Sequence, residues 1–394
     1  MSERATLRLK PGGDRRLLTG HPWIYSNEID MTPAAKALPA GSVVTLLRTD
    51  GKPLGTAFFN PKPLISARLL TRDPTAPIDT AFLRDRLQRA LALRERLIGV
   101  PHYRLAHAEA DGLPGAVIDR YGDVVVIQAA GAGVEQLAAP LAEALEAVIK
   151  PRAILMRGDG PAREMEGLPA YSRMLKGEID GPVPVTEYQA HFLADPREGQ
   201  KTGWFFDQRD NRALVARFAA GRRVLDLYSY MGGFAIQSAL AGAQSVLAVD
   251  RSELALRTAQ EAAQQNKVAE RFATERAEVF DYLEATGAAP RYDVVVADPP
   301  AFIKSKKDFN QGSRAYRKLA RLAAGRVAPG GILFIASCSH NMPVEDFGHQ
   351  VARGLNDADR RGRILFQSFA APDHPVHPAL PESAYLKALT LQLD

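Results

Sequence analysis

Val224-Leu225-Asp226-Leu227-Tyr228-Ser229-Tyr230-Met231-Gly232-Gly233-Phe234 is an apolar run that ends on a carboxylate and turns through glycines into the helical pattern 235–241. A second apolar run, 245–249, ends on Asp250. Strand, turn, helix and strand in this order predict an open α/β sheet, in which ligands sit over the carboxyl ends of the strands near the reversal of strand order. Gly232 and Gly233 would let backbone approach such a ligand without a Cβ in the way. Asp250 follows Asp226 by 24 residues. That spacing suits a carboxylate accepting from both ribose hydroxyls of a nucleoside.

The spacing also fits a dinucleotide site, but the GxGxxG turn that brings amides and a helix N-terminus onto a pyrophosphate is missing. The glycines come late and an acid comes early. Asp226 would repel pyrophosphate and attract the ammonium of a methionyl group, so S-adenosyl-L-methionine is favoured over NAD.

The next apolar run, 293–297, leads into Asp298-Pro299-Pro300-Ala301-Phe302. Two prolines fix φ and remove donors, so the chain leaves the sheet rigidly and aims Asp298 at whatever lies over the cofactor. An acid or amide before Pro-Pro is where adenosylmethionine enzymes hold a planar base bearing an amino group. After a helical segment, 314–326, and a Pro329-Gly330-Gly331 turn, the run 332–336 delivers Ser337-Cys338-Ser339-His340. A lone cysteine after such a run is commonly a small buried hydrophobe. Here its strand is expected beside the one ending at Asp298. Carbon 5 of a pyrimidine takes a methyl group only after a nucleophile adds at carbon 6, and a thiolate suits that addition. Cys338 is the candidate nucleophile, with His340 a weaker candidate for its base.

With these residues the chain resembles the bacterial large-subunit ribosomal RNA 5-methylcytosine methyltransferases that carry an amino-terminal PUA domain. The resemblance runs over nearly the whole length. Besides the turn, Asp298-Pro-Pro and Ser337-Cys-Ser-His, it rests on Arg15 to Ser26 (RRLLTGHPWIYS), Glu109 to Gly115 (EADGLPG), Asp119 to Gly122 (DRYG) and Gly199 to Arg209 (GQKTGWFFDQR). It implies a PUA domain over 1–72 that binds RNA, a mixed α/β connecting domain over 73–183, and a Rossmann-like methyltransferase domain over 184–394. It also implies a cofactor pocket built from Asp226, Tyr228, Gly232, Gly233, Phe234, Asp250 and Asp298, with Phe206, Gln208 and Arg209 contributing. Glu278 stands where the family commonly has Asp; a longer carboxylate can still accept from the adenine amino group. The implied substrate is large-subunit rRNA.

Composition agrees. The 394 residues are 46% hydrophobic, enough for two or three domains. No run approaches the ~20 apolar residues of a membrane span. Met1-Ser2-Glu3-Arg4-Ala5-Thr6 is no apolar leader, so a cytoplasmic enzyme without membrane attachment is expected. A single cysteine excludes an internal disulfide and argues against a Cys-based zinc site, and no metal is expected. Homodimerisation stays open. Net charge is +5, weak evidence for nucleic acid by itself. Its distribution says more: Arg4, Arg8, Lys10, Arg15 and Arg16 gather near the start, and Lys304, Lys306 and Lys307 follow the Asp298 turn, where they could position phosphates.

Short apolar runs at 7–9, 43–47, 54–59 and 64–70 predict a small β module. Helices are expected over 79–97 and 134–149, strands over 115–119, 124–129 and 153–157, a hairpin over 185–193 continued by 203–206, and a closing strand over 385–393. His107, Glu109 and Asp111 look like metal ligands, but the turn residues among them favour a structured loop. His374 and His377, spaced among prolines, do not read as a zinc pair. Two readings stay open beside the cytosine reaction: a nitrogen-directed methyltransferase acting at guanine N7 or an amino group, which needs no thiol, and a noncatalytic RNA-binding assembly factor.

Overall fold

The computed structural model describes residues 4–199, 202–285 and 290–394, without the side chains of 161 and 162. Met1 to Glu3 and the Gln200-Lys201 pair of the resemblance segment lie outside the described residues. Two compact units form: Met1–Val183 with Asp195–Phe206 and Pro372–Pro381, and Pro184–Ala194 with Asp207–Ala371 and Glu382–Asp394.

The first unit holds two sheets. Strands β1 (Thr6–Arg8), β2 (Trp23–Tyr25), β3 (Ser42–Leu47), β4 (Pro53–Phe59) and β5 (Ile65–Thr71) pair in the order β1-β3-β4-β5-β2. Leu9 bridges to Ile29 just past the two edge strands, which closes the sheet toward a barrel around Leu7, Ile24, Val44 and Phe59. The second sheet runs β10-β9-β8-β7-β6, from β6 (His102–His107), β7 (Ala116–Tyr121), β8 (Val124–Ala129), β9 (Ala153–Gly158) and β10 (Tyr171–Lys176). Helix Thr80–Ile98 starts on the Asp79 carboxylate, which accepts from the Phe82 amide at 2.9 Å. The 134–149 segment is two helices, Ala132–Gln136 and Ala138–Ile149. Strands β2, β6 and β10 are short or polar and carry little pattern.

His107, Glu109 and Asp111 are spent on the unit's own structure. Both Asp111 oxygens accept from the Arg94 guanidinium at 2.6 and 2.7 Å, and one Glu109 oxygen accepts from Trp23 Nε1 and from Arg68, each at 2.7 Å.

In the second unit, β11 (Val183–Glu187) and β12 (Ala190–Ala194) form a hairpin, whose first residue clusters with the first unit. The expected continuation over 203–206 is not a strand; the chain there turns into a 3-10 segment, Phe206–Gln208, and then helix Arg209–Ala216. The main sheet comprises β13 (Arg223–Leu227), β14 (Ser245–Asp250), β15 (Phe272–Arg276), β16 (Tyr292–Ala297), β17 (Val327–Ser337), β18 (Gly362–Phe369) and β19 (Lys387–Leu393), in the order β15-β14-β13-β16-β17-β19-β18. The first five are parallel and β19 is antiparallel to both its neighbours. Strand order reverses at β13, which places the crevice for a ligand above β13 and its neighbours.

Both faces of this sheet are covered, which is why its central strands read as unbroken apolar runs. Leu225, Val295, Leu333 and Ile335 pack with helices Phe309–Arg326 and Val344–Asp357 on one face. Val224, Val294, Val296 and Phe334 pack with helix Gly233–Leu240 on the other. At Pro329-Gly330-Gly331, where a turn was expected, β17 bulges: Tyr292 pairs with Val327 but Val294 with Ile332, and Gly330 has φ 74°. Among the described residues no helix is long and apolar enough to cross a membrane.

Candidate active site

Leu227, Val249, Ala297 and Ile335 lie in one row across four parallel strands. Asp250 and Asp298 are one residue beyond that row, Asp226 is one before it on β13, and Cys338 is three beyond it on β17. One carboxyl edge of the sheet thus carries three acids and the chain's one thiol.

The turn after β13 is conformationally demanding. Tyr228, Tyr230 and Gly232 all have positive φ, at 60°, 49° and 76°. Left-handed tyrosines cost energy and occur where surroundings impose them. Here the Tyr230 amide donates to Asp250 Oδ2 at 2.9 Å, the Ser229 amide to the Val249 carbonyl at 3.1 Å, and the Gly232 amide to the Ser229 carbonyl at 2.8 Å. The two glycines are demanded by the protein's own atoms: a Cβ on Gly232 would sit 3.0 Å from Ala259 Cβ, and one on Gly233 would sit 2.9 Å from Arg212 Cδ. Arg212 is itself buried and held by Glu187 through two bonds of 2.9 and 2.7 Å.

Asp226 is fully buried. Its Oδ2 accepts from the Ala235 amide at 3.0 Å, and its Oδ1 has no hydrogen-bond partner. Burial holds this carboxyl well above the usual range, and the charges of Asp298 and Asp250 add to the effect, against the Ala235 bond and Arg212. Ser229 Oγ, 6% exposed, also lacks a partner. Two orphaned buried oxygens in one strand-turn-helix are costly unless a ligand supplies donors. A cationic amine, the group S-adenosylmethionine carries beside its sulfonium, fits an unpaired carboxylate oxygen.

Asp250 divides its oxygens between the Tyr230 and Ser252 amides, so it braces the turn as well as ending β14. Glu278 precedes helix Val279–Glu284 with an exposed carboxylate 3.9 Å from Arg251. Its charge joins burial in raising the Tyr228 phenol well above its ordinary range.

Gln208 is a brace for Asp298. Its Nε2 donates to Asp298 Oδ1 at 2.8 Å while its Oε1 accepts from Asn211 Nδ2 at 2.6 Å. Arg209 is buried at the start of the following helix. Two aromatics expected at the cofactor pocket also make ring contacts of their own. Phe234 packs its ring on Phe334, 5.1 Å between centroids, inside the core. Phe206 clusters with the first unit, 1% exposed and 5.3 Å from the Tyr121 ring.

Cys338 is partly exposed, with Sγ 3.8 Å from the Pro299 carbonyl of the Asp298 loop. Ser339, fully buried, ties that loop to the thiol. Its Oγ accepts from the Ile303 amide at 3.1 Å and contacts Tyr316 Oη at 2.8 Å. His340 is exposed, with Nδ1 3.3 Å from the Glu382 carbonyl and its ring on Tyr385. Lys304, Lys306 and Lys307 are all exposed just past the Asp298 loop. The sequence reading missed Asn211, Tyr316 and Lys387. Each reaches the site through fold contacts that no local spacing encodes.

This fold and this carboxyl edge define an S-adenosylmethionine-dependent methyltransferase. The model of that family, described as S-adenosylmethionine-dependent methyltransferase, matches residues 170–390, and a PUA-like domain model matches residues 7–72. A protein of Shewanella denitrificans named Ribosomal RNA large subunit methyltransferase I is 38% identical over 393 residues, covering 98% of this chain and 99% of its own. The chain belongs to the ribosomal RNA large subunit methyltransferase I family. Among solved structures, a candidate S-adenosylmethionine-dependent methyltransferase from Streptococcus mutans shares the fold at TM-score 0.82 and 23% identity, covering 98% of this chain and 100% of that one. A candidate methyltransferase solved with S-adenosylhomocysteine matches at TM-score 0.83 with the same identity and coverage.

Proposed function

We propose that this chain makes 5-methylcytosine in large-subunit ribosomal RNA through a covalent adduct of Cys338. The observation that carries the reading is the pairing of strand ends: β16 finishes on Asp298-Pro-Pro and its parallel neighbour β17 on Ser337-Cys338, with Sγ against the Pro299 carbonyl. The relatives' name points to ribosomal RNA as substrate. Residues 1–72 are assigned to RNA binding, 73–183 to connection and 184–394 to catalysis.

S-adenosylmethionine, which Asp226, the 228–233 turn, Asp250 and Glu278 would hold, would supply an electrophilic methyl group, its sulfonium carbon–sulfur bond breaking to leave the neutral thioether. A cytosine unstacks from the RNA to reach the pocket, as a base must when chemistry is done on its ring. Asp298, steadied by Gln208, accepts from the exocyclic amine and supports the protonated ring nitrogen as charge develops. The Cys338 thiolate bonds to carbon 6 and makes carbon 5 nucleophilic. Once carbon 5 carries the methyl group, its proton passes to water or a carboxylate, because the chain has no second thiol. The carbon–sulfur bond then breaks and the thiolate leaves. Lys304, Lys306 and Lys307 hold phosphates beside the base.

Mass mapping of rRNA nucleosides from cells lacking the protein tests the product, and Cys338→Ala tests the route. Loss of one 5-methylcytosine in the first and of methyl transfer in the second is expected. Full activity of Cys338→Ala would move the reading to a nitrogen-directed enzyme, and folded protein that fails to bind S-adenosylmethionine in calorimetry would move it to an assembly factor.

A further inference from the structure

Lys387 opens β19 directly opposite Ser337, the residue before Cys338. It is 3% exposed, an unusual place for a lysine without a carboxylate partner. Its Nζ donates to the Ser339 and Met342 carbonyls, each at 2.7 Å. An ammonium has three N–H donors, so two of them fasten the chain on the far side of the thiol and one is left over. The electrostatic partner felt by this ammonium is Cys338: burial pulls Lys387 down to about 8, and the thiol opposes that pull.

The other groups around the thiol favour its charge less. Asp298, on the neighbouring strand end, is an acid and offers a thiolate no compensating positive charge. Tyr316, on helix Phe309–Arg326, is held above its usual range by burial, with Cys338 contributing. His340 is engaged with the Glu382 carbonyl and the Tyr385 ring.

We propose that Lys387 is the positioning residue of the thiol: its ammonium clamps the 339–342 backbone that aims Cys338 and supplies the positive charge that makes the thiolate accessible near neutral pH. The proposal rests on Cys338 being the nucleophile for its catalytic meaning, though not for its measurement. When the thiol ionises, its proton goes to solvent and the charge it leaves faces Lys387. Cationic neighbours are the usual cause of a depressed thiol pKa.

The pH profile of iodoacetamide alkylation of Cys338, the sole thiol, reads this directly. Lys387→Met is expected to move the midpoint up by about one pH unit, roughly a tenfold slower reaction on the acid side of both midpoints. Lys387→Arg should restore most of the shift, and S-adenosylmethionine affinity should stay within about threefold in both. A folded Lys387→Met with an unchanged midpoint overturns the proposal. Should that variant not fold, the native chain suffices: the Lys387 titration followed by NMR should drop below its starting value once Cys338 is alkylated to a neutral thioether, and no movement overturns the proposal. Methyl transfer separates the two readings. A Cys338→Ala enzyme that keeps activity removes the cytosine adduct yet leaves the alkylation result standing, whereas an inactive Cys338→Ala with an unshifted Lys387→Met removes only the role of Lys387.

Discussion

The turn after β13 and the loop after β17 end parallel strands of one sheet, yet they are finished differently. The first holds three left-handed residues and two buried oxygens without partners, Asp226 Oδ1 and Ser229 Oγ. In the second, every polar group of Ser339 is engaged, by Ser337, Ile303, Tyr316, Met342 and Lys387. Unmet hydrogen-bonding capacity is what a ligand can satisfy; complete satisfaction is what holds one atom in place. A cofactor that arrives and leaves suits the first arrangement. A fixed nucleophile suits the second.

The sharpest way to break this comparison is at Asp298, between the two. Asp298→Ala should cut single-turnover methyl transfer by about 10³-fold, the scale of losing one group that stabilises developing charge, with cofactor affinity within a few-fold. If affinity falls as steeply as rate, Asp298 serves the cofactor and the division is wrong. Asp226→Asn comes next, and should weaken S-adenosylmethionine binding by about 10- to 100-fold in calorimetry, the value of a hydrogen bond to a charged group. Its pH dependence sharpens the point. The carboxyl is raised in the free protein and a cation prefers it ionised, so affinity is full above its pKa and falls as pH is lowered through it. Binding should therefore release a proton at pH values where Asp226 is protonated, seen as a dependence of the heat on buffer ionisation enthalpy.

Smaller effects test rigidity. Ser339→Ala leaves the Ile303 amide unsatisfied and should cost about 1–3 kcal/mol in denaturant unfolding while slowing transfer more than it weakens cofactor binding. Gly232→Ala puts a Cβ on a left-handed residue and against Ala259, and should cost about 1–2 kcal/mol. Cofactor affinity should suffer more than thiol reactivity in that variant. The reverse order would mean that the two strand ends are coupled.

Much of the sheet was legible, because strands buried on both faces have to be apolar, and carboxylates or prolines at their ends stand out against that run. Asp226, Asp250 and Asp298 do fall at the ends of β13, β14 and β16, as that signal predicts, and Cys338 follows β17 directly. β18 was not legible: it is an edge strand, exposed along nearly its whole length, and Gly362–Phe369 carries no inward alternation. The ring partners of Phe206 and Phe234, Tyr121 and Phe334, were not legible, because they come from elsewhere in the chain. Lys387 was invisible for the same reason, since its place beside the thiol comes from the pairing of β17 with β19.

That pairing has a consequence in time. The clamp on the thiol loop joins residues 48 positions apart, and β19 lies between β17 and β18. During synthesis at ~5–20 residues per second, Cys338 is made roughly 2–10 s before the lysine that holds its loop. A nascent chain can therefore fold its barrel, and even the turn after β13, while Cys338 is still unaimed. The thiol loop is clamped only when β19 is in place.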